Sequence, residues 1–161
     1  MNIRSIRSQD NQAIYEIIQN ILKKYHLDVP GTAYYDPQLK YLFEHYQNLT
    51  SGEYWVLVKN RDVIGGVGIG PFGEHKGVAE LQKFYIKEEY QGQGYGSLLY
   101  KVAENFAKTQ GYEHLYIETI DVLDEANEIY EYFGFRVLFE SLSGSEHDLM
   151  NRWFIKALKS N

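Results

Sequence analysis

The chain has 161 residues, 44% of them hydrophobic, and 16 Lys and Arg against 22 Asp and Glu give a formal charge of −6. That length suits one domain with a real core, so residues 1–161 are expected to fold as a single unit. There is no cysteine, which excludes disulfides, thiolate metal sites and cysteine nucleophiles. The acidic balance speaks against nucleic acid as a main partner, because that affinity comes from basic side chains meeting phosphates.

Asn2 to Arg7 alternates apolar and polar residues and reads as an edge strand. Met1-Asn2-Ile3-Arg4 passes straight into that pattern, and no stretch approaches the roughly 18 apolar residues of a membrane span. Neither a signal peptide nor a membrane partner is expected, and a cytoplasmic location is. Gln9 to Tyr25 places Ile14, Ile17, Ile18, Ile21 and Leu22 at helical spacing. After a loop through Pro30-Gly31, Asp36-Pro37 reads as an N-cap followed by proline at the first helical position. The helix it starts is expected to reach Gln47, with Leu39, Leu42, Phe43 and Tyr46 inward.

Tyr54–Lys59 and Asp62–Gly70 read as two strands joined by a short turn at Asn60-Arg61. The second carries Gly65, Gly66, Gly68 and Gly70, which predicts a bulge or the close approach of another group. Val78–Ile86 is the next strand, Ser97–Gln110 an amphipathic helix and His114–Thr119 a further strand. Leu123–Phe133 reads as a helix stopped by Gly134, and Phe135–Phe139 and Asp148–Lys156 as the last strands. The order β, α, α, β-β-β-α, β-α, β-β describes one mixed α/β domain, hairpin-paired at first and helix-connected later.

Between the third of these central strands and its helix runs Tyr90-Gln91-Gly92-Gln93-Gly94-Tyr95-Gly96-Ser97. A strand that turns through glycines into a helix aims several backbone N–H groups, and the positive end of the helix dipole, at one spot. Such a turn can hold a phosphate without basic side chains. Ser97 stands where a dinucleotide fingerprint needs its third glycine, and Ser97-Leu98 follows Gly96 where a P-loop needs lysine.

The run Gln91-Gly92-Gln93-Gly94-Tyr95-Gly96 matches every fixed position of the [QR]-x-x-G-x-[GA] signature and resembles the GNAT superfamily of acetyl-CoA-dependent N-acetyltransferases. Glu80-Leu81-Gln82-Lys83-Phe84-Tyr85-Ile86 resembles that family's fourth strand, and Tyr130-Glu131-Tyr132-Phe133-Gly134-Phe135 its second hallmark. The resemblance implies a GNAT-like α/β fold with splayed central strands and flanking helices. It also implies acetyl-CoA as co-substrate, with Gln91, Gly92, Gln93, Gly94, Tyr95, Gly96 and Ser97 around its pyrophosphate and Phe84, Tyr85 and Ile86 along its pantetheine arm.

Acetyl transfer to an amine needs a base for the ammonium proton, a donor for the oxyanion and an acid for the departing thiolate. The resemblance nominates Tyr130 as acid and Glu80 as base, acting directly or through water; Glu118 on the neighbouring strand is the second candidate, and many members of the family have no single essential base. A phenol with a pKa near 10 stays protonated at neutral pH. Leu123 stands where many family members carry a pantetheine-binding asparagine, so Asn127, one turn on, becomes the candidate for that contact. Tyr34 and Tyr35 are expected to wall the acceptor side together with Glu118. Five histidines without paired spacing predict no metal site. The acceptor is expected to be a small primary amine. A protein amine and a non-catalytic acyl-CoA-binding module of the same fold are the alternatives. Homodimers are common in the family.

Overall fold

The computed structural model describes residues 1–158. Its seven-stranded sheet is built from β1 (Asn2–Ser5), β2 (Glu53–Lys59), β3 (Asp62–Pro71), β4 (Val78–Ile86), β5 (His114–Thr119), β6 (Arg136–Leu138) and β7 (Arg152–Ala157), in the spatial order β1-β2-β3-β4-β5-β7-β6. Four helices flank it: α1 (Asn11–Lys24), α2 (Leu42–Gln47), α3 (Tyr95–Thr109) and α4 (Asp124–Tyr132). All neighbouring strands are antiparallel except the β4–β5 pair. The parallel pair needs a crossover, and α3 supplies it.

Two cores result, one on each face. Ile14, Ile17, Ile18 and Leu22 of α1 join Leu42, Tyr46, Tyr54 and Val56 on one. On the other, Leu99, Tyr100, Ala103 and Ala107 of α3 bury against Trp55, Val67, Leu81, Leu115 and Ile117. The helical periodicity read from α1 and α3 is what fills these two layers.

β4 and β5 pair only from Val78↔His114 to Glu80↔Tyr116, and beyond that point the β5-facing edge of β4 has no strand beside it. The resemblance implied this splay. A bulge sharpens it. Gly68 faces Gln82 and Gly66 faces Tyr85, so β4 carries one residue more than β3 across that interval. Lys83 takes the irregularity at φ +47°, outside the range a lysine prefers. The extra residue shifts the alternation by one. Glu80, Gln82 and Tyr85 therefore face the α1/α2 side, while Leu81, Phe84 and Ile86 face the α3 core.

The strand glycines have their reason here. A Cβ on Gly68 would lie 2.5 Å from the Tyr46 hydroxyl oxygen and 2.8 Å from Tyr54 Cδ2. Two buried tyrosine rings approach β3 closely here because the strand offers them no side chain. The Tyr54 hydroxyl then donates to the carbonyl of Lys83 at 2.8 Å, bracing the bulge. Gly68→Ala is expected to lower stability by about 1–3 kcal/mol, the usual cost of overpacking. Urea unfolding measures it, and an unchanged midpoint would deny the glycines this role.

Three readings of the sequence change. The helix expected from Asp36 to Gln47 is a 3-10 turn, Leu39–Tyr41, followed by the short α2, and Asp36 is not its cap. Its carboxylate turns inward to Lys83 and His147 instead. α3 begins at Tyr95 rather than Ser97, because Gly94 at φ +86° makes the turn directly into the helix. The last strand begins at Arg152 rather than Asp148: the Asn151 backbone N–H still donates to the Thr119 carbonyl, and its side chain accepts from the Asp121 backbone N–H.

Candidate active site

The end of β4 meets the glycine turn on one side of the strand gap. Gln91 Nε2 donates to the Ile86 carbonyl at 2.8 Å and Gln93 Nε2 to the Glu89 carbonyl at 3.2 Å, so both side chains shape the connector. No backbone carbonyl among the described residues accepts from the N–H groups of Gly92, Gln93, Gly94, Tyr95, Gly96 or Ser97. These donors surround the first turn of α3, where the helix dipole is positive. The Tyr95 hydroxyl points away from the turn and accepts from Lys59 Nζ at 2.7 Å. Gly96 packs under Phe84, Ile86 and Ile129.

On the α1/α2 face a cavity of about 280 Å³ opens where β4 and β5 part. Glu80, Gln82, Lys83, Tyr85, Glu118 and His147 are among its walls. Glu80 sits at the last paired position of the two strands. Burial is the main force on its carboxyl, and Glu118 adds to it. A hydrogen bond from Gln82 Nε2 at 2.8 Å pulls the other way, as do His147 and Lys83, and the carboxyl rests at about 7. Glu118 accepts from the Tyr116 hydroxyl and from Ser145 Oγ, both at 2.8 Å.

Beside it lies a charged cluster. Asp36 accepts from Lys83 Nζ at 2.9 Å and contacts His147 Nε2 at 2.8 Å, with Lys83 only 7% exposed. Burial pushes the Asp36 carboxyl up, but His147 and Lys83 outweigh it and hold it below the usual carboxylate range. The same hydrogen bond raises the His147 imidazole against the opposing effect of burial. Ser145 and His147 both belong to the segment between β6 and β7, so their bonds to Glu118 and Asp36 tie that segment across the cavity.

Tyr130 stands on α4, on the opposite face of the sheet, with Phe135 and Phe154 at ring distances of 6.0 and 5.4 Å. Burial raises its phenol, which keeps it protonated at neutral pH, and no described residue hydrogen-bonds its hydroxyl. It lies near enough to Tyr85 for the two phenols to interact electrostatically.

A family model for the acetyltransferase (GNAT) family matches residues 14–135. The chain belongs to the GNAT acetyltransferase family. It is 33% identical to the uncharacterized N-acetyltransferase YjgM of Escherichia coli K12, over 90% of this chain and 87% of that protein. A GNAT-family acetyltransferase of Staphylococcus aureus Mu50 superposes with a TM-score of 0.87 at 23% identity, over 98% of this chain and 99% of that one. The PaiA N-acetyltransferase of Thermoplasma acidophilum, solved in complex with coenzyme A, shares the fold at a TM-score of 0.75 and 18% identity, over 97% and 98% of the two chains. The chain is thus an acyltransferase.

Within this GNAT fold, Glu80, Glu118 and Tyr85 meet in the cavity, and the turn from Gln91 to Ser97 adjoins Phe84 and Ile86. Three expected contacts take another form. Asn127 is buried, and its amide is committed to protein: Oδ1 accepts from Thr119 Oγ1 at 3.1 Å, and Nδ2 donates to the Ile120 carbonyl at 3.1 Å and to Asp124 at 3.3 Å. It fastens α4 to β5 rather than reaching outward. Tyr34 packs under Lys23 near α1, and Tyr35 is 60% exposed. Their neighbours Ala33 and Asp36 line the cavity instead. Leu123, at the place of the family's asparagine, lines it too.

Asp36, Lys83, Gln82, Tyr46 and His147 were missed as site residues. Gln82 carried a signal, since position i+2 on a strand shares a face with Glu80. Asp36 and His147 carried none, being 111 residues apart in the chain.

Proposed function

We propose that this GNAT acetyltransferase moves the acetyl group of acetyl-CoA to a small primary amine by direct attack in a ternary complex. The observation that carries the reading is the position of Glu80: the last residue before the strands part, inside the cavity, with its carboxyl at about 7. A base of that strength is half ionised near neutral pH and can take a proton from an alkylammonium group. The nitrogen lone pair then forms the new C–N bond as the C–S bond breaks. The bulge sets Lys83 outside the β3–β4 register, and a backbone N–H at this irregularity is the proposed donor to the oxyanion. Tyr130 gives its proton to the departing sulfur from the other face of the sheet, and the second proton shed by the acylated nitrogen restores the phenol.

The free N–H groups of the glycine turn support a pyrophosphate site there, and the unpartnered edge at Phe84, Tyr85 and Ile86 supports a pantetheine path. The PaiA protein holds coenzyme A, and a Salmonella typhimurium acetyltransferase of the same fold was solved with acetyl-CoA. The cavity volume, at the low end for a small-molecule site, and the segment tied across it favour a small acceptor over a protein chain. Glu118, Glu146 and Asp36 in its wall favour a cation.

Thiol release from acetyl-CoA, measured across a panel of primary amines, amino acids and N-terminal peptides, tests the reading. Turnover is expected with cationic amines; turnover with peptides alone would reverse the substrate assignment. Tyr130→Phe is expected to lower kcat about 10²-fold or more while coenzyme A affinity holds, since the hydroxyl has no protein partner to orphan. An unchanged kcat would remove Tyr130 as the acid.

A further inference from the structure

We infer that Gln82 and Tyr46 are positioning residues for Glu80, a two-step hydrogen-bond relay that fixes which carboxylate oxygen meets the acceptor amine. The inference rests on Glu80 being the base. A glutamine beside a carboxylate is ambivalent, because its amide can turn either its N–H or its carbonyl toward it. Here the Tyr46 hydroxyl donates to Gln82 Oε1 at 2.6 Å. That bond commits the carbonyl end of Gln82 to Tyr46 and leaves Nε2 to donate to Glu80 Oε1 at 2.8 Å. Oε1 of Glu80 is thereby occupied, and Oε2 has no hydrogen-bond partner among the described residues.

Tyr46 is well fixed for this task. It is 2% exposed, lies 5.3 Å from the Tyr54 ring and crosses β3 at Gly68, where a Cβ would displace it. Burial pushes its phenol up, so it stays a donor. The relay thus runs from α2 across a glycine of β3 to the reacting face of β4.

The other charged or titratable groups facing Glu80 act through space. Glu118 and Tyr116 on β5 and Glu146 and His147 in the segment between β6 and β7 surround it. Lys83 and Tyr85 come from β4, Asp36 from the turn before α2, and His45 from α2 itself. Among the described residues only Gln82 hydrogen-bonds its carboxylate. A donor on a carboxylate favours the ionised form, so removing Gln82 moves the acid limb of the rate profile in a known direction.

Steady-state pH profiles of wild type, Gln82→Met, Tyr46→Phe and Glu80→Gln at saturating acetyl-CoA test the relay, with thermal unfolding to confirm that each variant folds. A hydrogen bond to a charged group is worth enough to move the Gln82→Met limb up by about 1 pH unit. Tyr46→Phe is expected to move it the same way by less, and its high-pH plateau to fall far less than that of Glu80→Gln. Tyr46→Phe removes a single oxygen and carries the test should Gln82→Met not fold. If Glu80→Gln abolishes the limb and neither other variant moves it, the relay is overturned while the base assignment stands. If the limb survives in Glu80→Gln, the base assignment falls and the relay with it.

Discussion

Glu80→Gln is expected to lower kcat by about 10²–10⁴-fold and to erase the acidic limb of the rate profile. The wild-type enzyme should lose activity as pH falls through about 7, because protonation there removes the base. Glutamine has no such transition, so the residual activity of the variant should follow only the ionisation of the amine. Stability should move the other way. The folded carboxyl is raised from 4.5 to about 7, so the native state holds the proton more tightly than the unfolded chain. Wild-type stability therefore falls as pH rises from 4.5 to 7, and above 7 the cost of a buried charge is fully present. Glutamine never carries that charge. Above pH 7 the variant should be the more stable protein by up to about 3 kcal/mol, a gain of several degrees in Tm for a chain of this size. Near pH 4 the two should unfold together. A variant both inactive and less stable at pH 8 would mean that Glu80 holds the strands together rather than serving as base. The trade is one that active sites commonly make, stability given up for a poised group.

The parts of this site that local physics builds were legible in the sequence. The glycine turn, the α3 periodicity and the positions of Glu80 and Glu118 on adjacent strands each depend on a short window. Alternation in β4 was legible only as far as Gln82. The bulge at Lys83 inverts it, and a lysine gives no hint of a positive φ. It goes with the two tyrosine rings over Gly68 and the Tyr54 bond to the Lys83 carbonyl, and that bond joins residues 29 positions apart. Asp36 shows the same limit more sharply. Asp-Pro before an apolar pattern is a sound N-cap by local rules, yet the carboxylate gains more from Lys83 and His147 than a helix end could offer. The resemblance points to Tyr34 and Tyr35 as acceptor wall because their region covers the acceptor cleft in that family. In the fold the turn between Thr32 and Asp36 presents Ala33 and Asp36 to the cavity, packs Tyr34 against the core beside α1 and leaves Tyr35 exposed.

Asp36→Asn should be the most damaging single change to folding among the cavity residues, costing about 3–5 kcal/mol. The pair it breaks is buried: Lys83 is 7% exposed and Asp36 14%. Asparagine keeps the shape but removes the charge, leaving the largely buried Lys83 ammonium without its counter-ion. The same carboxylate holds His147, so the loss has a pH signature. Asp36 is depressed from 3.8, and its contribution is present above that value and fades as pH falls through the lower folded one. His147 is raised from 6.5, and its contribution is complete below that value and fades as pH rises through the higher folded one. The gap between wild type and variant should therefore be widest between about pH 4 and 6.5 and narrow toward pH 9. At pH 5.5 the Tm should drop by about 10 °C. Asp36 also braces the strained Lys83 and, through His147, the segment across the cavity, so KM for the amine should rise in the folded variant while coenzyme A affinity, which the proposed site at the glycine turn would set, holds. Equal Tm values at pH 5.5 would show that the triad of Asp36, Lys83 and His147 is not coupled to folding. A deficit independent of pH would assign the whole effect to Lys83 and none to His147.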